Sequence, residues 1–230
     1  MDFTQIFEAF YTLYRGEDEI PDSSDPEYVI ARRLANEAVN RWSNYDGTYW
    51  KELFTTNLAE DSDGDQTIEA DTTTYDAPSD MREAGGFVKI KNSSGQTVST
   101  FPIIEPSDAQ FKDDMGRYCY FTGDPNNGFV LNLNPAPDAT MAGQSIDYVY
   151  YKKPTLFTRG SDVTEMADPY FIVHRILAQR FRVSRNYSAY QTAFRDAEDA
   201  LKIMQMDNNS GNWADPFKLP DNSGTIFGSE

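Results

Sequence analysis

The chain has 230 residues with 37 acidic and 20 basic side chains, and its formal net charge of −17 excludes the usual mode of duplex DNA binding, in which clustered Lys and Arg neutralise the phosphates. A hydrophobic fraction of 39% without an apolar run of about 20 residues excludes a membrane-spanning protein and favours a soluble, folded chain. The single cysteine excludes a disulfide framework, and the first residues lack the basic and apolar regions of a signal peptide, so we expect folding in the cytosol.

Three helices are predicted in the N-terminal part of the chain. The first, over residues 3–15, places its apolar side chains on one face and ends before Gly16, a residue that favours helix C-termini. The second, over residues 26–43, begins after an aspartate that can cap it and has proline in its first turn. Its apolar stripe is rich in alanine, which permits close helix packing. Apolar residues within 48–58 predict a third, shorter helix.

A change of composition predicts β structure from about residue 66 to residue 153. This stretch is rich in Thr, Val, Ile, Tyr and Phe and is interrupted by turn-forming Gly, Pro, Asn and Asp. Turns at residues 92–95 and 123–128 separate pairs of apolar segments and therefore predict two hairpins. Single strands are predicted at residues 66–70, 72–75 and 145–151.

Two further helices are predicted at residues 169–185 and 188–206, and their apolar spacing is typical of a helical hairpin. We therefore expect an α+β fold built around an antiparallel helical bundle. The predicted boundaries are residues 1–60 plus 165–206 for the bundle, 61–164 for an inserted β-rich domain of sandwich or barrel-like form, and 207–230 for an extended C-terminal tail.

The predicted helical hairpin lies in a segment whose net charge is positive. Residues 151–205 carry 9 basic and 6 acidic side chains, whereas residues 1–80 carry 5 basic and 19 acidic ones. Four arginines crowd the first helix of the hairpin: Arg175, Arg180, Arg182 and Arg185.

The spacing of these arginines predicts two contact directions. Arg175 and Arg182 are seven residues apart and share a helix face, whereas Arg180 and Arg185 diverge from them. We predict that one pair contacts acidic residues 17–25 or 60–71 of a neighbouring subunit and that the other pair contacts carboxylates of its own chain. The alternative is that all four arginines pair within their own chain, as surface charges commonly do.

The predicted tail combines a polar composition with isolated apolar residues, among them Trp213 and Phe217. A segment of this length cannot bury these side chains by itself. We therefore predict that Trp213 and Phe217 dock on another chain, either a partner protein or an adjacent subunit. A tail that wraps on its own domain is the alternative.

The residue types that commonly catalyse reactions or bind metals form no recognised motif in this sequence. His174, the single histidine, lies in the arginine-rich helix and is interpreted as a core or surface residue rather than a base. Cys119 lies between two tyrosines in a predicted strand, which is typical of a buried small hydrophobe. Asp61, Asp63 and Asp65 have the alternating spacing of a calcium loop. The glycine and the twelfth-position glutamate of that motif are missing, so a solvated linker is the better interpretation. We predict no enzyme activity, metal site or cofactor.

Six segments together carry a resemblance to a known family. They are residues 28–42, 75–82, 118–125, 131–137, 148–155 and 168–173. In content and order these segments resemble the head-to-tail adaptor, or connector, proteins of tailed bacteriophages. The resemblance lies in packing and turn motifs rather than catalytic ones, and it covers residues 28–206. The acidic linker at 61–65 and the aromatic-bearing tail depart from the family pattern.

The resemblance implies a structural protein of the virion, made in the host cytoplasm and placed at the head-to-tail interface. Such proteins form a homo-oligomeric ring, usually of twelve subunits, which docks under the portal protein and contacts the next tail or neck component. The ring frames part of the DNA exit channel without specific DNA binding and without a membrane. Two alternatives are a tail-completion or tail-tube protein, and a carbohydrate-binding adhesion module suggested by 14 tyrosines and 3 tryptophans.

Overall fold

Five α-helices and nine β-strands make up the regular structure of the residues that the computed structural model describes, which are 1–17, 20–109 and 116–210. The fold is mixed α+β. The chain divides into two compact units. The helical unit contains Met1–Leu53 and the described residues from Pro154 onward, and the β unit contains Phe54–Lys153.

Four helices form the helical unit, at or close to their predicted positions. They are α1 (Phe3–Arg15), α2 (Pro26–Ser43), α4 (Tyr170–Val183) and α5 (Tyr187–Ser210), while the short α3 (Pro106–Ala109) belongs to the β unit. Both N-terminal helices begin at aspartate caps: Asp2 forms a reciprocal capping box with Gln5, and the Asp25 carboxylate accepts the Glu27 N–H. Helix α4 contacts α1, α2 and α5, so it lies at the centre of the unit's packing.

Helix α5 continues four residues beyond the predicted helix end and includes the first four residues of the segment predicted as the tail. Asn208 lies in the last turn of α5 and is buried. Its side chain accepts a hydrogen bond from the Lys51 N–H at 2.9 Å and donates one to the Tyr49 carbonyl at 2.9 Å. These contacts attach the end of α5 to the segment after α2.

Nine strands arrange the β unit in three small antiparallel sheets rather than the expected sandwich or barrel. The sheet orders are β1-β9-β3, β2-β7-β6 and β5-β4-β8. The strands are β1 (Phe54–Thr56), β2 (Thr74–Asp76), β3 (Met81–Ala84), β4 (Phe87–Lys91), β5 (Thr97–Pro102), β6 (Tyr118–Asp124), β7 (Gly128–Asn134), β8 (Ser145–Asp147) and β9 (Val149–Lys152). The two predicted hairpins are confirmed as β4–β5 and β6–β7.

The helix predicted over residues 48–58 is absent. Two short 3₁₀ turns, Tyr45–Gly47 and Lys51–Leu53, are followed directly by β1. The indole N–H of Trp50 donates to the Trp42 carbonyl at 2.7 Å, which holds this buried ring against the end of α2. Strand β1 pairs with β9, so tertiary contacts override the local apolar pattern that predicted a helix.

The single strand predicted over residues 145–151 is divided between two sheets at Tyr148. Asn57 explains the break, because it is fully buried and bonds the backbone on both sides of it. Its side chain donates to the Ile146 carbonyl at 3.0 Å and accepts from the Tyr148 N–H at 2.9 Å, and its own N–H donates to the Tyr148 carbonyl at 3.2 Å. The strand predicted at residues 66–70 is reduced to an isolated bridge between Thr67 and Ser145.

The core of the β unit includes Val88, Ile90, Phe101, Cys119 and Ile146, all of them fully buried. The interpretation of Cys119 as a buried small side chain is confirmed, and burial raises the pKa of its thiol to about 12. At neutral pH this group is a thiol rather than a nucleophilic thiolate.

The linker carboxylates that resemble a calcium loop are engaged as hydrogen-bond acceptors. The carboxylate of Asp63 accepts the Ser79 N–H at 2.8 Å, and that of Asp65 accepts the Asp76 N–H at 2.6 Å. Within the described residues, no group of three or more His, Cys, Asp or Glu side chains could hold a metal ion. The carboxylates of Asp63 and Asp65 therefore bind the linker to the segment around β2.

Replacing Asp63 with asparagine should destabilise the protein at pH 7 more than at pH 3. Hydrogen bonds from Ser79 lower the pKa of Asp63 in the folded state. Such a group stabilises the fold above its unfolded pKa, and the contribution disappears as the pH falls through the folded pKa. Urea unfolding of both proteins across this pH range measures the difference. If the free energies of unfolding of the variant and the wild type differ by the same amount at pH 3 and at pH 7, the charge of Asp63 contributes nothing to stability.

Candidate interaction surface

A helical hairpin of α4 and α5 presents the arginines that the sequence singled out. The turn between these helices has the hydrogen bonds of a Schellman motif: the Asn186 N–H donates to the Phe181 carbonyl at 2.9 Å, and the Arg185 N–H donates to the Arg182 carbonyl at 3.2 Å. Arg185 has a φ of 60°, a left-handed conformation that usually belongs to glycine at this position. The Asn186 side chain then accepts the Ala189 N–H and begins α5.

Arg180 belongs to an ion cluster that joins three helices. Its guanidinium lies 2.8 Å from Oε1 of Glu27 on α2, while Arg15 at the end of α1 lies 3.1 Å from Oε2 of the same carboxylate. Both guanidinium groups also lie over the Tyr14 ring, at 5.6 and 5.1 Å from its centre. One largely buried carboxylate, whose side chain is 12% exposed, therefore balances two arginines.

Arg175 takes part in a second cluster of the same composition. Glu198 on α5 lies 3.6 Å from Arg175 and 3.0 Å from Arg41 on α2. The Arg175 guanidinium also lies 5.4 Å from the centre of the Phe194 ring, and its side chain is only 15% exposed. Desolvation and the neighbouring Arg41 lower the pKa of Arg175, although the group stays protonated at neutral pH.

The other two arginines lie at the exposed end of the hairpin. Arg182 and Arg185 are exposed and form no salt bridge with any residue of the described chain. Between and beside them are two apolar side chains of unusual exposure, Val183 at 72% and Tyr187 at 63%. We call these four residues the hairpin tip. Neither Val183 nor Tyr187 was singled out from sequence, because periodicity alone does not reveal that an apolar side chain is exposed.

Within one chain, the structure groups the arginines differently from their spacing along the sequence. The sequence grouped Arg175 with Arg182 and Arg180 with Arg185, whereas the structure engages Arg175 and Arg180 within the chain and leaves Arg182 and Arg185 in solvent. The reason is the placement of the acceptors. Glu198 and Glu27 lie opposite Arg175 and Arg180, whereas Arg182 is in the last turn of α4 and Arg185 is in the turn that follows it.

The remaining sequence candidates have separate positions. His174 is half-buried on α4. Trp213 and Phe217, the predicted docking residues of the tail, lie outside the described residues. Among the helices that the structure describes, none combines the length and the apolar character that a bilayer crossing requires.

Comparison with known proteins defines the class to which this chain belongs, that of phage adaptor proteins. The chain belongs to the family described as SU10 adaptor protein, whose model matches residues 1–219. The match covers both compact units, and it confirms the resemblance carried by the sequence motifs. No curated protein matches the chain.

Proposed function

We propose that this protein is a head-to-tail adaptor of a tailed-phage virion. In this proposal it forms a homo-oligomeric ring, of twelve subunits as is usual in such adaptors, which docks under the portal protein. The ring joins the capsid vertex to the next tail or neck component. The observation that carries the proposal is the family match over residues 1–219, which is nearly the whole chain. The role is structural and requires neither catalysis nor a cofactor.

The charge of the chain supports a place along the path of the DNA. A net charge of −17 repels the phosphate backbone, so passing DNA does not adhere to the wall of a channel built from many copies. Within the helical unit, two of the five arginines on the α4–α5 hairpin, Arg175 and Arg180, are balanced by glutamates of their own chain. This internal neutralisation further reduces the positive charge available to bind DNA.

A mass measurement of the protein alone and after mixing with its portal protein tests the proposal. We expect a ring of this chain on the portal, with a low-resolution map that places the protein between the portal and the tail. Failure to associate with the portal, or a position further down the tail, would contradict the adaptor role. The second outcome would indicate a tail-completion or tail-tube protein.

We also propose that the C-terminal segment docks on the portal or on an adjacent subunit through Trp213 and Phe217. Because Asn208 belongs to α5 and fastens residues 49–51, the informative deletion begins after Ser210. Deletion of residues 211–230 should weaken association with the portal or ring neighbour and leave the melting temperature nearly unchanged. The double variant Trp213→Ala/Phe217→Ala should reproduce the loss. A large drop in melting temperature of the isolated subunit would instead place the segment in its own core.

A further inference from the structure

The hairpin tip is a positively charged and partly apolar projection on a strongly acidic protein. Arg182 and Arg185 extend past the last glutamate that neutralises α4, and Val183 and Tyr187 expose most of their surface beside them. We propose that the hairpin tip binds Glu17 and Asp22 of a second copy of this chain, two exposed carboxylates between α1 and α2 that we call the acidic connection. This inference rests on the proposed homo-oligomer and identifies the side chains of one subunit contact.

The acidic connection lies at the same end of the helical unit as the hairpin tip. Arg15 precedes the connection and Glu27 follows it, and these two residues form one ion cluster with Arg180. Arg180 is two residues from Arg182, so the ion cluster also lies at the end of α4 where the hairpin tip begins. Glu17 and Asp22 of the connection are exposed, and neither forms a salt bridge with the tip of its own chain in the described residues.

This placement suits a contact that repeats around a ring. Rotation of one copy about an axis, without translation along it, leaves its tip and connection at the same height as those of the next copy. The tip of each copy can then meet the connection of its neighbour. Such a heterologous contact joins two different surfaces of neighbouring copies. It closes into a ring when the successive rotations add up to a full turn.

The composition of the tip favours a protein partner over solvent. Exposed ion pairs contribute only about 0.2–1 kcal/mol each, so two arginines alone give a weak contact. Tyrosine and arginine are among the side chains most enriched at energetically important interface positions, and Tyr187 adds apolar area to the charged pair. The left-handed backbone of Arg185, fixed by the turn's hydrogen bonds, sets the direction in which its side chain leaves the turn.

The test compares two variants with equal charge change. Arg182→Glu/Arg185→Glu reverses the tip, and Arg33→Glu/Arg195→Glu reverses two other exposed arginines of the helical unit. Ring formation on the portal is followed by native mass measurement. The tip variant should need a protein concentration at least about tenfold higher than wild type to form the ring, and the control should assemble like wild type. Rising salt should weaken the wild-type ring. Thermal unfolding should be similar for all three proteins, because all four positions are exposed.

A third variant, Glu17→Lys/Asp22→Lys, identifies the partner. It should fail to assemble alone but assemble when mixed in equal amounts with the tip variant, because an alternating ring restores opposite charges at every contact. Normal assembly of the tip variant overturns the inference and leaves the adaptor role intact. A mixture that stays unassembled, or a tip variant that instead loses affinity for duplex DNA, also overturns it. Failure of wild-type protein to associate with the portal would contradict the proposed function itself.

Discussion

Replacing Phe3 with alanine should reduce the free energy of unfolding by about 3–5 kcal/mol, the usual cost of removing a buried aromatic side chain from a core. Phe3 is fully buried. Its ring centre lies 5.1 Å from that of Tyr28 on α2 and 5.3 Å from that of Phe157, which belongs to the segment that leads into α4. No neighbour can collapse into the space without disturbing contacts among three parts of the helical unit.

Urea unfolding followed by circular dichroism at a helix wavelength measures this loss. Tyr187→Ala is the matched control, because it removes an aromatic ring of similar size from an exposed position and should change stability by no more than about 0.5 kcal/mol. If Phe3→Ala costs less than about 1 kcal/mol, the aromatic cluster around α1 does not form part of the cooperative core.

Replacing Glu27 with glutamine should cost about 2–4 kcal/mol, somewhat less than the roughly 3–5 kcal/mol lost when one partner of a fully buried ion pair is removed. The Glu27 side chain is 12% exposed and pairs with both Arg15 and Arg180. Glutamine keeps the shape but not the charge, so the half-buried Arg180 loses its counterion. Arg15 is more exposed and can be hydrated again when its partner is lost. The loss of its ion pair therefore adds little to the decrease in the free energy of unfolding.

Glu37→Gln provides the control for this prediction. Glu37 pairs with Arg33 at 3.7 Å on the exposed face of α2, and such a pair contributes about 0.3–0.5 kcal/mol. The double variant Glu27→Gln/Arg180→Met, measured in the same urea experiment, should recover part of the loss because it removes the unpaired cation. Equal stability of Glu27→Gln and wild type would show that the three-helix cluster is solvated in solution.

The sequence predicted those helices whose start and end signals lie within a few residues of the helix ends. The limits of α1 and α2 follow from aspartate caps, a proline in the first turn and Gly16, all of which act within a few residues. The two hairpins were predictable for the same reason, since their turn residues lie between the strands that they connect.

Features that depend on distant residues could not be predicted in this way. The segment over residues 48–58 has an apolar pattern compatible with a helix, but β1 pairs with β9 about 95 residues later. Tyr148 interrupts a strand-like sequence because Asn57 bonds its backbone. The arginine partners were missed for a similar reason: spacing along α4 gives directions, whereas the positions of Glu27 and Glu198 are set by the packing of other helices.

Pairing of β1 with β9 also bears on the order in which the chain folds. The chain leaves the helical unit at Leu53 and returns at Pro154, so α1 and α2 must wait for α4 until roughly 100 further residues have been synthesised. Closing an unstructured connection of that length costs about 4 kcal/mol in chain entropy. Because Phe54 pairs with Tyr151, a β unit that folds first holds its two ends together and largely removes this cost. We therefore expect the β unit to fold during synthesis and the helical unit to complete its packing only after α5 has emerged.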